Sequence, residues 1–324
     1  MAQEFLGIDI SKRKVDVALL RDGRLRYAIF GNDPKGFRAL ERWLAQQGAS
    51  VPHACMEATG SYWEAIAAYL FQKGLTVSVV NPACVHAFRK SLLCRSKTDK
   101  IDAALLAKFC CAQSPRAWTP PPPDAQELRG LVRRRDDLLA MHKQERNRLA
   151  DPGFGKDAKA SIERMLALLA DEQRLLEKQI RELLRRSPAL QESHDLLVSI
   201  PGIGSVTATV IISEVRRFED YASARQLAAH AGLTPRQHES GDSIRGKPRL
   251  CRTGNAVLRK GLYMAAVVAK RHNPVVREFC ARLEAKGKPP MVIVAAAMRK
   301  LLHIAYGVIK HKEVFRADYH PSRD

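Results

Sequence analysis

Four carboxylates carry the first chemical signal. Asp9 interrupts the apolar run Phe5–Ile10, and Glu57 closes the run His53–Glu57 just before Ala58-Thr59-Gly60. Asp99 and Asp102 stand three apart in Lys97-Thr98-Asp99-Lys100-Ile101-Asp102, which puts them on one face of a helix. Each has an ordinary reading by itself: a strand-end Glu is solvated, and an Asp at a helix start favours the dipole. An acid inside an apolar strand is costly unless it is paired or bound to metal. Taken together, the four form a hard oxygen donor set suited to divalent cations. The expected ion is Mg²⁺, with Mn²⁺ able to replace it, and two such ions roughly 4 Å apart clamp a scissile phosphate.

The second signal is Ser240, within Glu239-Ser240-Gly241. Residues 236–260 hold seven basic residues (Arg236, Arg245, Lys247, Arg249, Arg252, Arg259 and Lys260) against the two acids Glu239 and Asp242. A serine in such a segment either hydrogen-bonds its loop or a phosphate, or attacks a phosphodiester while nearby arginines stabilise the developing charge. Ser243 is its rival, and spacing alone does not choose between them. A third signal, Ile200-Pro201-Gly202-Ile203-Gly204-Ser205-Val206-Thr207, has the pattern of a helix-hairpin-helix. There Gly202, Gly204 and Ser205 would present free backbone N–H groups to a phosphate. Arg236, Arg245, Lys247, Arg249 and Arg252 are the expected side-chain contacts to a nucleic-acid backbone.

The elements that must position these groups fall into blocks. Over 1–113, short strand-like runs (Phe5–Ile10, Val15–Leu20, Leu25–Phe30) precede a helix over Pro34–Gln47, a strand at Ala54–Glu57, a helix over Tyr62–Lys73 and a strand at Val77–Val80. A further helix starts at Thr98, its N-cap, and runs through Phe109. Three strands followed by alternating helices and strands predict a mixed sheet covered by helices. Residues 114–124, with Pro115 and Pro120–Pro123, read as a stiff linker. Over 125–190, Ile162, Leu166, Leu169, Leu176, Ile180 and Leu183 follow a coiled-coil seam, with Leu128, Leu131 and Leu138 upstream. Asp151-Pro152-Gly153 and Gly155 break this into two helices, so the arm is either a hairpin packed on its own protein or a dimerising coiled coil. Residues 191–324 read as mostly helical apart from 232–254.

Composition narrows the partner. The chain has 324 residues and a formal charge of +20, with 46% hydrophobic and 27% charged residues, which fits folded domains rather than disorder. Residues 1–113 carry 16 basic and 10 acidic residues, and 196–324 carry 22 and 10. The excess is therefore spread through folded regions, as in proteins that meet polyanions. With no run of about 18 apolar residues and no secretory leader, membrane and secreted classes are excluded. The expectation is a cytoplasmic protein, nucleoid-associated when bound to DNA. Seven cysteines without a CxxC pair argue against a zinc site or disulfide framework. His142, His230 and His303 read as packed or surface groups.

Gly7-Ile8-Asp9, Glu57-Ala58-Thr59-Gly60-Ser61-Tyr62, Asn81-Pro82, Lys97–Ala103, Pro201-Gly202-Ile203-Gly204, Ala231-Gly232-Leu233-Thr234-Pro235, Glu239-Ser240-Gly241 and Arg252-Thr253-Gly254-Asn255 occur in order along the chain. In these motifs the sequence resembles bacterial insertion-sequence transposases with an N-terminal DEDD domain, a group that includes Piv-like DNA invertases and bridge-RNA-guided recombinases. The resemblance implies a RuvC/ribonuclease-H-like domain over 1–113 and a C-terminal transposase domain over 191–324. It also implies that Asp9, Glu57, Asp99 and Asp102 form the metal-binding set, and that Ser240 is the nucleophile joining covalently to DNA. The implied partners are donor DNA, target DNA, a noncoding bridge RNA, and further copies of the chain as dimers assembling to tetramers. Two other enzymes fit the residues: a RuvC-like Holliday-junction resolvase or nuclease using metal-activated water, and an RNA-independent invertase. A non-catalytic architectural binder would leave the four acids without a purpose.

Overall fold

The structure, a computed structural model, describes residues 4–49, 51–94, 96, 98–215, 217–240, 244–251 and 253–318, and over 237–240 and 244–249 it describes the backbone alone. The chain divides into two compact units, Met1–Pro120 and Pro121–Asp324.

The first unit is a five-stranded mixed sheet between helices. Its elements are β1 (Glu4–Ile10), β2 (Lys14–Arg21), β3 (Arg24–Gly31), α1 (Pro34–Gln46), β4 (His53–Glu57), α2 (Glu64–Gln72), β5 (Val77–Val80), α3 (Pro82–Ser91) and α4 (Asp99–Gln113). The strand order is β3-β2-β1-β4-β5, with β1, β2 and β3 antiparallel and β4 and β5 running parallel to β1. This order is consistent with the expected ribonuclease-H-like sheet. Because side chains alternate across a sheet, two cores form. Leu6, Ile8, Val17 and Leu19 pack with Phe37, Leu40 and Leu44 of α1 and Ile66 and Leu70 of α2. On the other face Phe5, Cys55 and Val80 pack with Val85 of α3 and Leu105, Leu106, Phe109 and Cys110 of α4. Each fully buried leucine or phenylalanine contributes about 1.5–3 kcal/mol.

The helix starts follow local chemistry. Thr98 caps α4 by accepting the Ile101 N–H at 3.2 Å, as its sequence position predicts. Helix α2 begins at Glu64, two residues after the expected Tyr62. Helix α3 was not anticipated; it starts where Asn81 accepts the Ala83 N–H and Pro82 occupies the first turn, a position where proline costs no hydrogen bond.

The second unit contains α5 (Pro123–Leu149), α6 (Lys156–Arg186), α7 (Pro188–Val198), α8 (Ser205–Val215), α9 (Ala224–His230), the antiparallel strands β6 (Pro235–Ser240) and β7 (Ile244–Leu250), α10 (Ala256–His272), α11 (Pro274–Ala285) and α12 (Pro290–His311). Helices α5 and α6 pack through Leu131, Leu138, Leu169 and Leu176. An ion pair joins Glu127, near the start of α5, to Arg186, at the end of α6, so the two helices run antiparallel. Ala125, Leu128, Val132, Ile180, Leu183 and Leu184 at the base of this hairpin share one core with α7 to α12, so the base of the arm and the C-terminal region are one body. The 232–254 stretch forms a two-stranded ribbon in an otherwise helical unit.

Helix α12 comes nearest to an apolar stretch of membrane length, although Arg299 and Lys300 interrupt its apolar run. Among the described residues it is the one helix long and apolar enough to cross a membrane. It puts that apolarity into the core, burying Ile293, Ala297, Met298, Leu301, Leu302, Ala305 and Tyr306.

Candidate active site

Sheet register brings the first two acids together. Ile8 of β1 pairs with Met56 of the parallel strand β4, so Asp9 and Glu57 follow at neighbouring strand ends. The two aspartates of α4 arrive by close packing. A Cβ on Gly7 would lie 2.0 Å from the Ala103 carbonyl oxygen and 2.3 Å from the Ala107 nitrogen. With only hydrogen at position 7, the first turns of α4 lie directly on β1. The crowding shows in Asp9, whose carboxyl is pushed up to about 6, first by burial and then by the negative charges of Asp102, Asp99, Glu57 and Asp16. That mutual repulsion of acids is the arrangement a bound cation relieves.

Cations of the protein already answer part of this charge. Lys14 Nζ lies 2.7 Å from Asp99 Oδ2 and 2.9 Å from Asp16 Oδ2, and these contacts hold its ammonium above the usual lysine range, Asp99 first. Arg89 pairs with Asp102. Among the described residues no three acidic, histidine or cysteine side chains close into a ready metal cage. Asp102, Asp99, Glu57 and Asp16 all lie close enough to raise the Asp9 carboxyl; these are oxygen donors of the kind a hard divalent ion takes, and the Lys14 side chain on Asp99 is 43% exposed.

Asp16, Lys14 and Arg89 escaped the sequence reading. Asp16 is buried directly opposite Asp9 in the β1–β2 ladder and accepts a hydrogen bond from the Tyr27 hydroxyl. Its signal was present, an acid between Val15 and Val17 in an apolar strand, by the same logic that selects Asp9.

In the second unit, Ser240 is the last residue of β6, paired in backbone register with Ile244; Glu239 pairs with Arg245, and Arg236 with Arg249. Arg236 is exposed, Lys247 lies on β7, and Arg252 and the rival Ser243 fall outside the described residues. The base of the ribbon is pinned. The Cys251 N–H donates to Thr234 at 2.8 Å, the Asn255 N–H to His230 at 2.7 Å, and Arg259 to Ala231 at 3.1 Å. Behind it, the buried Glu214 of α8 accepts Arg133 Nε at 2.9 Å, Arg133 Nη2 at 3.1 Å and Asn255 Nδ2 at 2.6 Å. One buried carboxylate therefore ties α5 to the cap of α10, which follows the ribbon.

The Gly202 loop divides between packing and exposure. Gly202 has φ +104°, and a Cβ there would lie 2.5 Å from Ala269 Cβ, so this glycine serves the contact with α10. Gly204 and Ser205 are exposed at the start of α8. The Ser205 hydroxyl lies 2.9 Å from His194 Nε2, and His194 Nδ1 lies 3.3 Å from Asp195 Oδ1.

Comparison with known proteins fits this geometry. A transposase profile of the DEDD type matches residues 6–151, and one described as "Transposase IS116/IS110/IS902 family" matches residues 194–281. The chain is 34% identical to the pilin gene-inverting protein of Moraxella bovis, over 99% of this chain and 100% of that protein. It belongs to the IS116/IS110/IS902 family of transposases. The transposase is equally 34% identical to the pilin gene-inverting protein of Moraxella lacunata, over the same shares. It is 28% identical to the transposase for insertion sequence element IS1328 of Yersinia enterocolitica, over 63% of this chain and 66% of that protein. It is therefore a DNA transposase or recombinase, an enzyme whose substrate is DNA.

Proposed function

We propose that this transposase cleaves and rejoins DNA strands using Asp9, Glu57, Asp99 and Asp102 to hold Mg²⁺ and Ser240 as the nucleophile. The observation that carries the metal-site reading is the gathering of the other carboxylates around Asp9, whose carboxyl is raised first by burial and then by their negative charge. When bound, a divalent cation supplies charge neutralisation at the scissile phosphate. The protein's own residues do the rest. Asp9 and Glu57 would hold the ion from the ends of two strands and Asp99 and Asp102 from α4, while Lys14 neutralises Asp99 and Asp16 beside them. Ser240 Oγ loses its proton and bonds to phosphorus, the P–O3′ bond breaks, and the released 3′-hydroxyl takes up a proton. The phosphoserine ester keeps the bond energy for rejoining to a second strand, with no nucleotide triphosphate consumed. Gly204, Ser205, Arg236, Arg245, Lys247, Arg249 and Arg252 hold the nucleic-acid backbone, and the formal charge of +20 supports that role.

The resemblance to bridge-RNA-guided recombinases supports a noncoding RNA that pairs with donor and target DNA and so carries sequence specificity. Met165, Leu168 and Leu175 of α6 are exposed on the arm. Their spacing of three and seven continues a heptad stripe, which supports self-association into dimers and, on DNA, tetramers. Working on the chromosome, such a protein resides in the cytoplasm at the nucleoid. A second reading, inversion of a DNA segment without RNA, is favoured by the full-length similarity to the two pilin gene-inverting proteins. The discriminating experiment is purification from the native host with sequencing of the nucleic acid retained after a moderate salt wash. A single structured RNA mapping beside the gene is expected. Random fragments, or none, would remove RNA guidance and leave recognition of DNA by the protein itself.

A further inference from the structure

A cavity of about 270 Å³ opens between α12, the start of α11 at Val275, and the segment Glu313–Arg316. Its walls are apolar, including Ile304, Val308 and the ring of Phe315. The Phe315 wall is held in place, because its N–H donates to Ser199 Oγ at 2.9 Å. Lys300, His311 and Arg316 stand around it with Glu313 as the one acid. His303 also lines it. One feature makes it more than a packing gap. Gly307 lies in its wall, and a Cβ there would meet nothing within 4 Å. Glycine in a helix interior is unfavourable relative to almost any residue except proline, and here its effect is to keep the space open.

Pockets for drug-sized ligands run from about 300 to 1,000 Å³, so this one admits a single ring system. A flat ring against Phe315 and an anion beside Lys300 and Arg316 together describe one nucleotide. Burial, and then the positive charges of Arg299, Lys300 and Arg225, lower the His303 pKa. The neutral imidazole presents a flat, uncharged ring rather than a further cation.

We infer that this cavity receives one unstacked nucleotide of a single strand, with the base on Phe315 and His303 and the phosphate at Lys300 and Arg316. Strand exchange creates unpaired nucleotides, and base–aromatic contacts are how proteins hold them without reading sequence. The inference rests on the family's action on DNA and is independent of the assignments of the carboxylates and Ser240.

Gly307→Leu in the full-length protein is the test, since it fills the cavity while raising helix propensity. The probes are a short labelled oligodeoxythymidylate, an oligouridylate of the same length, and a blunt DNA duplex, each titrated by fluorescence anisotropy, with a thermal melt as the fold control. The expected result is an unchanged or higher melting temperature, single-strand binding weakened about five-fold or more, and duplex binding within about two-fold. Loss confined to thymidylate assigns the pocket to the DNA strand, and loss confined to uridylate assigns it to RNA. Phe315→Ala should reproduce the loss, and the effect should persist in an Asp9→Asn background. Unchanged single-strand binding by a folded Gly307→Leu protein would overturn the inference, as would equal weakening toward all three probes.

Discussion

Lys14 Nζ sits 2.7 Å from Asp99 and 2.9 Å from Asp16, so one ammonium occupies charge that a divalent cation would otherwise meet. The lysine and the ion compete for Asp99. Replacing Lys14 with Met should lower the melting temperature in chelator, because Asp16 and Asp99 then lose an ion pair beside the crowded Asp9. The same variant should gain more stability from Mg²⁺ or Mn²⁺ than the parent does. Melts in EDTA and across a cation titration check both halves.

Asp9 gives a pH-dependent prediction. Its carboxyl is raised from 3.8 to about 6 in the folded chain, so between those values the native state binds the extra proton. Ionised Asp9 therefore destabilises the fold, a penalty absent below about pH 4 and complete above about pH 6. Without divalent cations, Asp9→Asn should match the parent in acid and melt higher at pH 7–8, while losing strand cleavage. Equal melting temperatures at pH 8 would contradict the crowding of acids at this site.

Gly7 should be as intolerant as the acids themselves. Its added Cβ would fall 2.0 Å from a backbone oxygen of α4, and overpacking of this kind costs roughly 1–3 kcal/mol. Gly7→Ala displaces α4 and with it Asp99 and Asp102. The expected outcome is a destabilised but folded protein with cleavage reduced at least ten-fold, although no carboxylate has changed. Urea denaturation and a cleavage assay on the same preparation separate the two effects.

Glu214 ties three elements of the second unit together. Glu214→Gln leaves Arg133 without its carboxylate and weakens the hold on Asn255. Arg133 is 45% exposed, so water replaces part of what is lost, and the cost should be roughly 1–3 kcal/mol. Denaturant midpoints with an unchanged slope would verify it.

The gathering of the carboxylates was legible because Asp9 breaks a local rule inside an apolar strand, while Glu57, Asp99 and Asp102, each ordinary alone, stand out only together with it. Thr98 as the cap and the breaks around residues 151–155 were equally local. The partners of these acids were not legible. Lys14 meets Asp99 across 85 residues, and nothing near either one announces the pairing. Glu214 lies in a helix whose last eight residues are all buried; its arginine partners come from α5, far away in sequence. The ribbon β6–β7 was hidden by its glycines, prolines and charges, which exclude a helix without displaying the apolar alternation of a half-buried strand. Helix α12 gives the opposite lesson: its apolar character suits both a membrane and a core, and only packing distinguishes them.

The most direct measurement is on the covalent link. The protein, purified with its bound nucleic acid, is incubated with Mg²⁺ and DNA spanning the gene's own flanks, then denatured, digested with protease and mapped by mass spectrometry. A phosphodiester adduct on Ser240, absent from Ser240→Ala and from Asp9→Asn, is the expected result. Cleaved DNA with no adduct would mean that water is the nucleophile, and an adduct surviving in Ser240→Ala would place the attacking group elsewhere.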